Sequence, residues 1–228
     1  MIDFVKSTVG AKIVVAVTGF MFVGFILAHT AGNMLVFLGA EALNDYAQML
    51  RAVPELLWMA RIGLIIALVL HVWLTLKLTA QNRSANPQKY QVSVSQAATL
   101  QSKTMRFGGI SLFFFLVYHL MHFTLGITHP AEFNVHEVVN GIERHDAFAM
   151  LISGFSHWYN VLIYVVATLF LGLHLKHGIQ SMVHTLGFNG ERLTAGAKTV
   201  GSILEIIVFF GLISIPLSIF FGLIGGGN

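Results

Sequence analysis

Five apolar stretches, each long enough to cross a lipid bilayer, take up most of this 228-residue sequence. We place them at about residues 11–38, 55–80, 105–128, 153–186 and 199–223. A helix needs about 20 apolar residues to cross ~30 Å of hydrocarbon, where its backbone groups must be bonded internally. The sequence therefore predicts an all-α integral membrane protein with five transmembrane helices, spans I–V, in a single domain over residues 1–228.

The composition excludes a soluble globular domain and several classes of redox centre. Hydrophobic residues make up 56% of the chain and charged residues only 10%, a balance typical of membrane proteins with several spans. The chain has no cysteine, which rules out disulfides, thiolate-bound iron–sulfur clusters and covalently attached haem. Any redox group must therefore be held by histidine or methionine, or without a covalent link.

Histidines occur inside four of the five predicted spans. Ionisable side chains are costly in hydrocarbon, so within a span they mark a functional site by default. Spans I to IV each contribute at least one: His29, His71, His119 with His122, and His174 with His177. Four helices that each direct an imidazole inward form a bundle suited to two six-coordinate haems.

The distribution of positive charge predicts the orientation of the chain. Ten of the 13 lysines and arginines lie on the side of the N-terminus and of the loops II–III and IV–V. The opposite side carries seven of the ten acidic residues. The positive-inside rule then places the N-terminus in the cytoplasm and the C-terminus outside. The N-terminal residues show no cleavable signal, and the predicted location is a bacterial cytoplasmic membrane.

Positions along the spans group the histidines into two depths. His29 and His119 each lie nine residues from the outer end of their span, whereas His71 and His174 lie about 16 or 17 residues inward. At ~1.5 Å per residue the depths are roughly 10–12 Å apart. Two axial ligands of one haem must share a depth, so the pairs are His29 with His119 and His71 with His174. From the residues alone, the ligand in span III could instead be His122, one turn from His119. In the same way, the ligand in span IV could be His177, one turn from His174.

Several segments, in this order and spacing, resemble a known family. They are Thr18–His29 (TGFMFVGFILAH), Gly39–Asn44 (GAEALN), Leu68–Lys77 (LVLHVWLTLK), Val117–Phe123 (VYHLMHF) and Leu173–Thr194 (LHLKHGIQSMVHTLGFNGERLT). Together they resemble the five-helix, dihaem cytochrome b anchor subunit of succinate:menaquinone oxidoreductases and quinol:fumarate reductases. The resemblance covers nearly the whole chain.

This resemblance implies a function within a larger enzyme complex of the tricarboxylic acid cycle or anaerobic respiration. A flavoprotein and an iron–sulfur subunit would bind on the cytoplasmic face and interconvert succinate and fumarate, so the flavin site lies on another chain. This subunit would pass electrons through two b haems between iron–sulfur clusters and menaquinone or a similar quinone, in a single complex or a dimer of complexes. His71 and His174 would hold the proximal haem, and His29 and His119 the distal haem. The family pattern favours His119 and His174 over their neighbours.

Further residues are candidates for the haem propionates and for the quinone. At the cytoplasmic side we expect propionate partners among Ser102, Lys103, Arg106 and His184, because cationic side chains pair well with carboxylates. At the outer side, candidates for a quinone slot near the distal haem are Asn33, Tyr46, Arg51, Glu55 and His122. Glu55 or His122 would exchange protons with the outside. A quinone beside the proximal haem, at residues 102–106, is the alternative.

Three rival functions remain to be weighed. Another quinone-linked dihaem cytochrome b, such as a hydrogenase or formate dehydrogenase anchor, would share the histidines but not the span IV pattern. A histidine-lined transporter needs membrane carboxylates and broken helices, and the span interiors offer only Glu205, for which we expect His184 or Lys198 as partner. A purely structural anchor has no need of four histidines at matched depths.

Overall fold

The computed structural model describes residues 2–84, 100–188 and 190–225, without the side chains of residues 2, 3, 83, 100–104 and 106. Helices dominate it. Their bounds are α1 Ile2–Lys6, α2 Thr8–Asn33, a 3₁₀ turn Met34–Leu38, α3 Ala40–Arg51, α4 Pro54–Ser84, α5 Leu100–Phe123, α6 Pro130–Phe133, α7 Ala147–Ser156, α8 Trp158–Thr185 and α9 Glu191–Phe220. Between α6 and α7 lie two short strands, β1 His136–Val139 and β2 Ile142–His145.

Four helical segments of the described chain are long and apolar enough to cross a bilayer: Thr8–Leu38, Pro54–Asn82, Trp158–Thr185 and Glu191–Phe220. They correspond to predicted spans I, II, IV and V. The described apolar part of α5, Phe107–Phe123, is shorter. The helical membrane architecture is thus confirmed, whereas a fifth span over residues 105–128 stays a prediction.

Span IV differs from its prediction, because two helices replace one continuous helix over residues 153–186. They meet at His157, whose backbone is extended (φ −88°, ψ 117°). Asn160 is fully buried, and its side-chain amide donates to the carbonyl of Gly154 at 2.7 Å. Because the end of a helix leaves carbonyls without helical partners, this bond stabilises the break.

The helices pack around α2 and α8. Among the described residues, α4 packs on α2, α5 packs on α8, and α9 packs on both central helices. The α8–α9 contact is close, because a Cβ at Gly201 would lie 3.1 Å from the carbonyl oxygen of Lys176. Lys176 also pairs with Glu205 at 2.8 Å. The expected pairing of Glu205 with His184 or Lys198 is therefore wrong, because its partner is Lys176 on α8.

A β-hairpin and α7 close one end of the bundle, which we call the hairpin end. The strands pair antiparallel around Asn140 (φ 53°) and Gly141 (φ 78°), positive angles that suit a type I′ turn. This segment connects predicted spans III and IV. The opposite end, where α2 begins and α8 ends, is the N-terminal end.

A polar network joins the hairpin end to α3. Asn44 is only 1% exposed, and its amide donates to Glu137 at 2.8 Å and to Asp146 at 2.9 Å. Its side-chain oxygen accepts a backbone N–H from the first turn of α7. Arg144 bonds Glu137 and Asp45, and these hydrogen bonds, that with Asp45 foremost, raise the pKa of its guanidinium. Each polar group of Asn44 thus has a partner, as burial requires.

Candidate functional site

Two imidazoles from different helices face each other towards the hairpin end. The rings of His29 on α2 and His119 on α5 have centroids 5.8 Å apart and planes at 86°. Phe25 stacks on His29 at 5.4 Å, and both histidines are half-buried. The two rings are close enough to bind one metal ion from opposite sides.

Tyr164 on α8 fixes the orientation of the His119 ring. Its hydroxyl lies 3.1 Å from Nδ1 of His119 and 3.2 Å from Nδ1 of His122. When Nδ1 of a histidine is engaged in a hydrogen bond, Nε2 is the nitrogen that remains for a metal. We call the set His29, His119 and Tyr164 the hairpin level.

A second level lies nearer the N-terminal end. His71 on α4 places Nδ1 3.0 Å from the hydroxyl of Thr18 on α2. That hydroxyl also donates to the carbonyl of Val14 at 2.8 Å, so it accepts from the ring, and Nδ1 carries the hydrogen. Nε2 of His71 is therefore the unprotonated nitrogen, the form that binds a metal.

His174 on α8 belongs to the same level. Its Nδ1 is buried and has no hydrogen-bond partner among the described residues. Gly109 on α5 faces it, since a Cβ there would lie 3.6 Å from His174 Cε1. Gly19 on α2 faces His71 in the same way, at 3.5 Å. Glycine at both positions means that no side chain lies between the helix backbone and the ring. We call the set Thr18, His71 and His174 the N-terminal level.

The spacing of the two levels can be measured along three helices. Thr18 and His29 are 11 residues apart on α2, Gly109 and His119 are ten apart on α5, and Tyr164 and His174 are ten apart on α8. At ~1.5 Å per residue each helix gives a spacing of roughly 15–17 Å. This exceeds the 10–12 Å of the sequence prediction, which counted His119 from an outer end of span III at residue 128, whereas α5 ends at Phe123.

These residues fit two bis-histidine haems. Each level offers two imidazoles from different helices, the donor set of a six-coordinate b haem. The helices that would share a haem, α2 with α5 and α4 with α8, are not among the closely packed pairs of the described chain. A flat macrocycle needs such a gap, and the unpartnered Nδ1 of His174 is a polar atom that burial alone leaves unexplained.

A cleft of about 520 Å³ opens at the N-terminal end, beyond the N-terminal level. Its lining is polar and partly basic, and consists of Val9, Lys12, His177, Gln180, Ser181, His184 and Thr185. It contains His184, one of the four expected propionate partners. The side chains of the other three, Ser102, Lys103 and Arg106, lie outside the described residues.

The five quinone candidates lie in different surroundings. Asn33 donates its side-chain amide to the carbonyl of His29 at 2.8 Å, and Tyr46 lies against Gly32 of the same helix. Arg51 and Glu55 are exposed around the α3–α4 connection. His122 is buried beside Tyr164 and faces the turn before α6.

The family to which the chain belongs follows from comparison with known proteins. The sequence profile of the succinate dehydrogenase/fumarate reductase transmembrane subunit family matches residues 79–213, more than half of the chain. The matched region contains α5, α8 and most of α9, and with them His119 and His174. Comparison with curated proteins and with solved structures gives no significant match. The chain belongs to the succinate dehydrogenase/fumarate reductase transmembrane subunit family.

Proposed function

We propose that this chain anchors a succinate dehydrogenase or fumarate reductase complex in a bacterial cytoplasmic membrane and conducts electrons through two b haems. The electrons pass between the iron–sulfur subunit and menaquinone or a similar quinone. Family membership supports the anchoring role. The observation that carries the electron-transfer role is the arrangement of four histidines in two levels, with a hydroxyl on Nδ1 of His71 and of His119.

Each level has residues with distinct tasks. His29 and His119 would bind one haem iron, and His71 and His174 the other. Thr18 and Tyr164 orient their rings and raise the basicity of Nε2, the common function of groups behind a metal-binding histidine. A bound haem accepts and releases one electron at a time, and the apolar helices around it exclude water from the iron.

The haem at the N-terminal level would direct its propionates towards the cleft at that end. Lys12, Gln180 and Ser181 supply donors there, and His184 is a further candidate. Ser102, Lys103 and Arg106 at the start of α5 remain candidates on the strength of their charge and position. A carboxylate in this cleft gains charge-assisted hydrogen bonds.

The topology of the proposal has five spans, with α5 as span III. The N-terminal end faces the cytoplasm, as the excess of lysine and arginine on that side favours, and the C-terminus lies outside. The flavoprotein and iron–sulfur subunits then bind at the N-terminal end, next to the haem of His71 and His174. The haem of His29 and His119 is the distal one.

Quinone would react at the hairpin end, near the distal haem. His122 is the strongest candidate for the group that exchanges protons with the quinone, since it is 3% exposed and one turn from His119. Tyr164 holds its Nδ1, while Nε2 points away from that hydroxyl. Asn33, Tyr46, Arg51 and Glu55 remain candidates for the entry to this site.

Optical spectra of ligand variants of the intact complex test the haem assignment. We expect His29→Ala and His119→Ala to remove one b-type signal from the reduced-minus-oxidised spectrum, and His71→Ala and His174→Ala to remove the other. His136→Ala, on β1, is the matched control and keeps both. Depletion of one common signal by His29→Ala and His71→Ala would refute the pairing.

Quinone turnover tests the role of the hairpin end. In His122→Leu we expect loss of quinone reduction, with both haem signals and the transfer of electrons to a water-soluble acceptor retained. Glu55→Gln tests the exposed candidate in the same two assays. Unchanged quinone turnover in both variants would place the quinone elsewhere.

A further inference from the structure

We propose that His122, His129 and Glu132 form a binding site for a divalent transition-metal ion of the zinc type. One ring nitrogen of each histidine and one carboxylate oxygen of Glu132 lie within 4.8 Å of one another. His122 lies in the last turn of α5, His129 precedes α6, and Glu132 lies within α6. We call these three residues the His122 cluster, and none of them is a proposed haem ligand. An ion bound at Nε2 of His122 excludes the proton exchange with quinone that is proposed above for this side chain.

Two buried atoms of this cluster have no partner. Nε2 of His122 and Oε2 of Glu132 are buried and make no hydrogen bond among the described residues. His122 as a whole is 97% buried, since only 3% of its surface is exposed. A buried polar atom without a partner costs free energy. A bound cation would give a partner to both atoms, one a nitrogen and the other an oxygen.

The other ring nitrogen of His122 and the other carboxylate oxygen of Glu132 each have a hydrogen-bond partner. Nδ1 of His122 lies 3.2 Å from the Tyr164 hydroxyl, and Oε1 of Glu132 lies 2.8 Å from Nε2 of His157. Metal-binding imidazoles and carboxylates are commonly fixed in this way, with the atom away from the metal in a hydrogen bond. The hydrogen-bond partners behind two of the three ligands are therefore present before any ion binds, and binding at His122 requires its hydrogen to lie on Nδ1, with Tyr164 as the acceptor.

The third ligand must exchange a contact to bind the ion. The ring nitrogens of His129 lie 3.2 Å from the Thr128 hydroxyl and 3.1 Å from the Tyr159 hydroxyl. A metal ion would replace one of these neutral contacts, which are individually weak. Because the ligand must be the neutral imidazole, binding releases any proton that His129 carries.

The set of donors indicates which ions fit. Two imidazoles and one carboxylate with a fourth position for water suit zinc, and the same set binds copper(II) more tightly. Calcium and magnesium prefer oxygen ligands and are disfavoured. A bound ion would join α5, the turn before α6 and α6 itself, and through His157 it would also fix the α7–α8 junction.

Zinc binding to the purified complex tests the proposal. The complex is isolated through an affinity tag without histidines, and bound zinc is measured by equilibrium dialysis with zinc alone. We expect the unmodified complex to bind one more zinc ion tightly than the His129→Ala or Glu132→Gln complex does. His136→Ala removes a histidine of the nearby hairpin and should keep that ion. His157→Ala should bind it about 10- to 100-fold more weakly.

Two further measurements separate the outcomes. The reduced-minus-oxidised haem spectrum should be unchanged in all four variants, which shows that they fold. Copper(II) added to the unmodified complex should give an electron paramagnetic resonance signal with two nitrogen ligands, reduced to one in His129→Ala. Equal zinc binding in the unmodified protein, His129→Ala and Glu132→Gln would overturn the proposal, and so would a copper signal unchanged by His129→Ala.

Discussion

Replacement of Thr18 by valine should weaken the binding of one haem and leave the other unaffected. The change is nearly isosteric and removes only the hydroxyl that accepts a hydrogen bond from Nδ1 of His71 at 3.0 Å. Without that acceptor the ring is less firmly oriented, and Nε2 becomes a weaker base towards iron. The expected loss is confined to the N-terminal level.

The size of the effect follows from one lost hydrogen bond. A neutral side-chain hydrogen bond contributes about 0.5–1.5 kcal/mol net, which corresponds to a factor of about 2–13 in affinity. Loss of a group behind a metal ligand costs about 10- to 100-fold in metal binding. The two ranges meet near tenfold, and this is the loss we expect for Thr18→Val.

Thr30→Val is the matched control. Thr30 lies on the same helix, is buried like Thr18 (5% and 4% exposed), and bonds a carbonyl four residues earlier, but it contacts no histidine through its hydroxyl. The rate of haem transfer from detergent-solubilised complex to an excess of apomyoglobin measures the loss, resolved by the two b-type signals. Equal haem loss in Thr18→Val and Thr30→Val would refute the role of Thr18.

Three other predictions concern the hairpin level and the hairpin end. Tyr164→Phe should shift the midpoint potential of the haem at His29 and His119 only, with Tyr159→Phe as control; a shift of both haems would contradict the assignment. Asn44→Ala should leave the backbone N–H of Phe148 without its acceptor, at about 1–3 kcal/mol, while Glu137 and Asp146 keep their bonds to Arg144 and to the Ala149 N–H. The loss should speed proteolysis of residues 129–146; unchanged cleavage would count against the network. Burial, with nearby Arg51 and His136, lowers the pKa of His145, while Asp146 opposes the shift. The stability that this gives the hairpin is therefore present above pH 6.5 and lost as the pH falls below it. Rate-corrected hydrogen exchange should show this loss, and His145→Gln should abolish it.

The long helices and the histidines inside them were predictable because both depend on local composition. An imidazole such as His71 stands out in an apolar stretch, and the cost of placing it there is independent of the rest of the fold. The end of span I near Leu38 was likewise correct, since Gly39 (φ 100°) follows it. Local signals of this kind need no knowledge of tertiary contacts.

Contacts between distant parts of the chain were not predictable. Threonine and tyrosine are ordinary in membrane helices, and Thr18 and Tyr164 acquire roles only from histidines 53 and 45 residues away. The break at His157 has no proline to announce it, and the nearest glycine, Gly154, lies within α7. The stabilising amide comes from Asn160, which is an ordinary residue in the sequence. The hairpin was readable, since Asn140–Gly141 is a strong turn signal, but its short strands are not apolar enough to attract notice.

The position of Tyr164 between two imidazoles also couples two proton positions. Its hydroxyl has one hydrogen, so it can donate to Nδ1 of only one neighbour, while its oxygen can accept from the other. If His119 keeps Nε2 for iron, its Nδ1 donates to Tyr164, and the hydroxyl hydrogen is directed to His122. His122 then carries its own hydrogen on Nε2. Any ligand that takes Nε2 of His122 must move that hydrogen and disturb the bond to His119, and by reciprocity a change at His119 alters the affinity of His122. One phenol group thus couples the free energies of ligand binding at the two histidines, without movement of a helix.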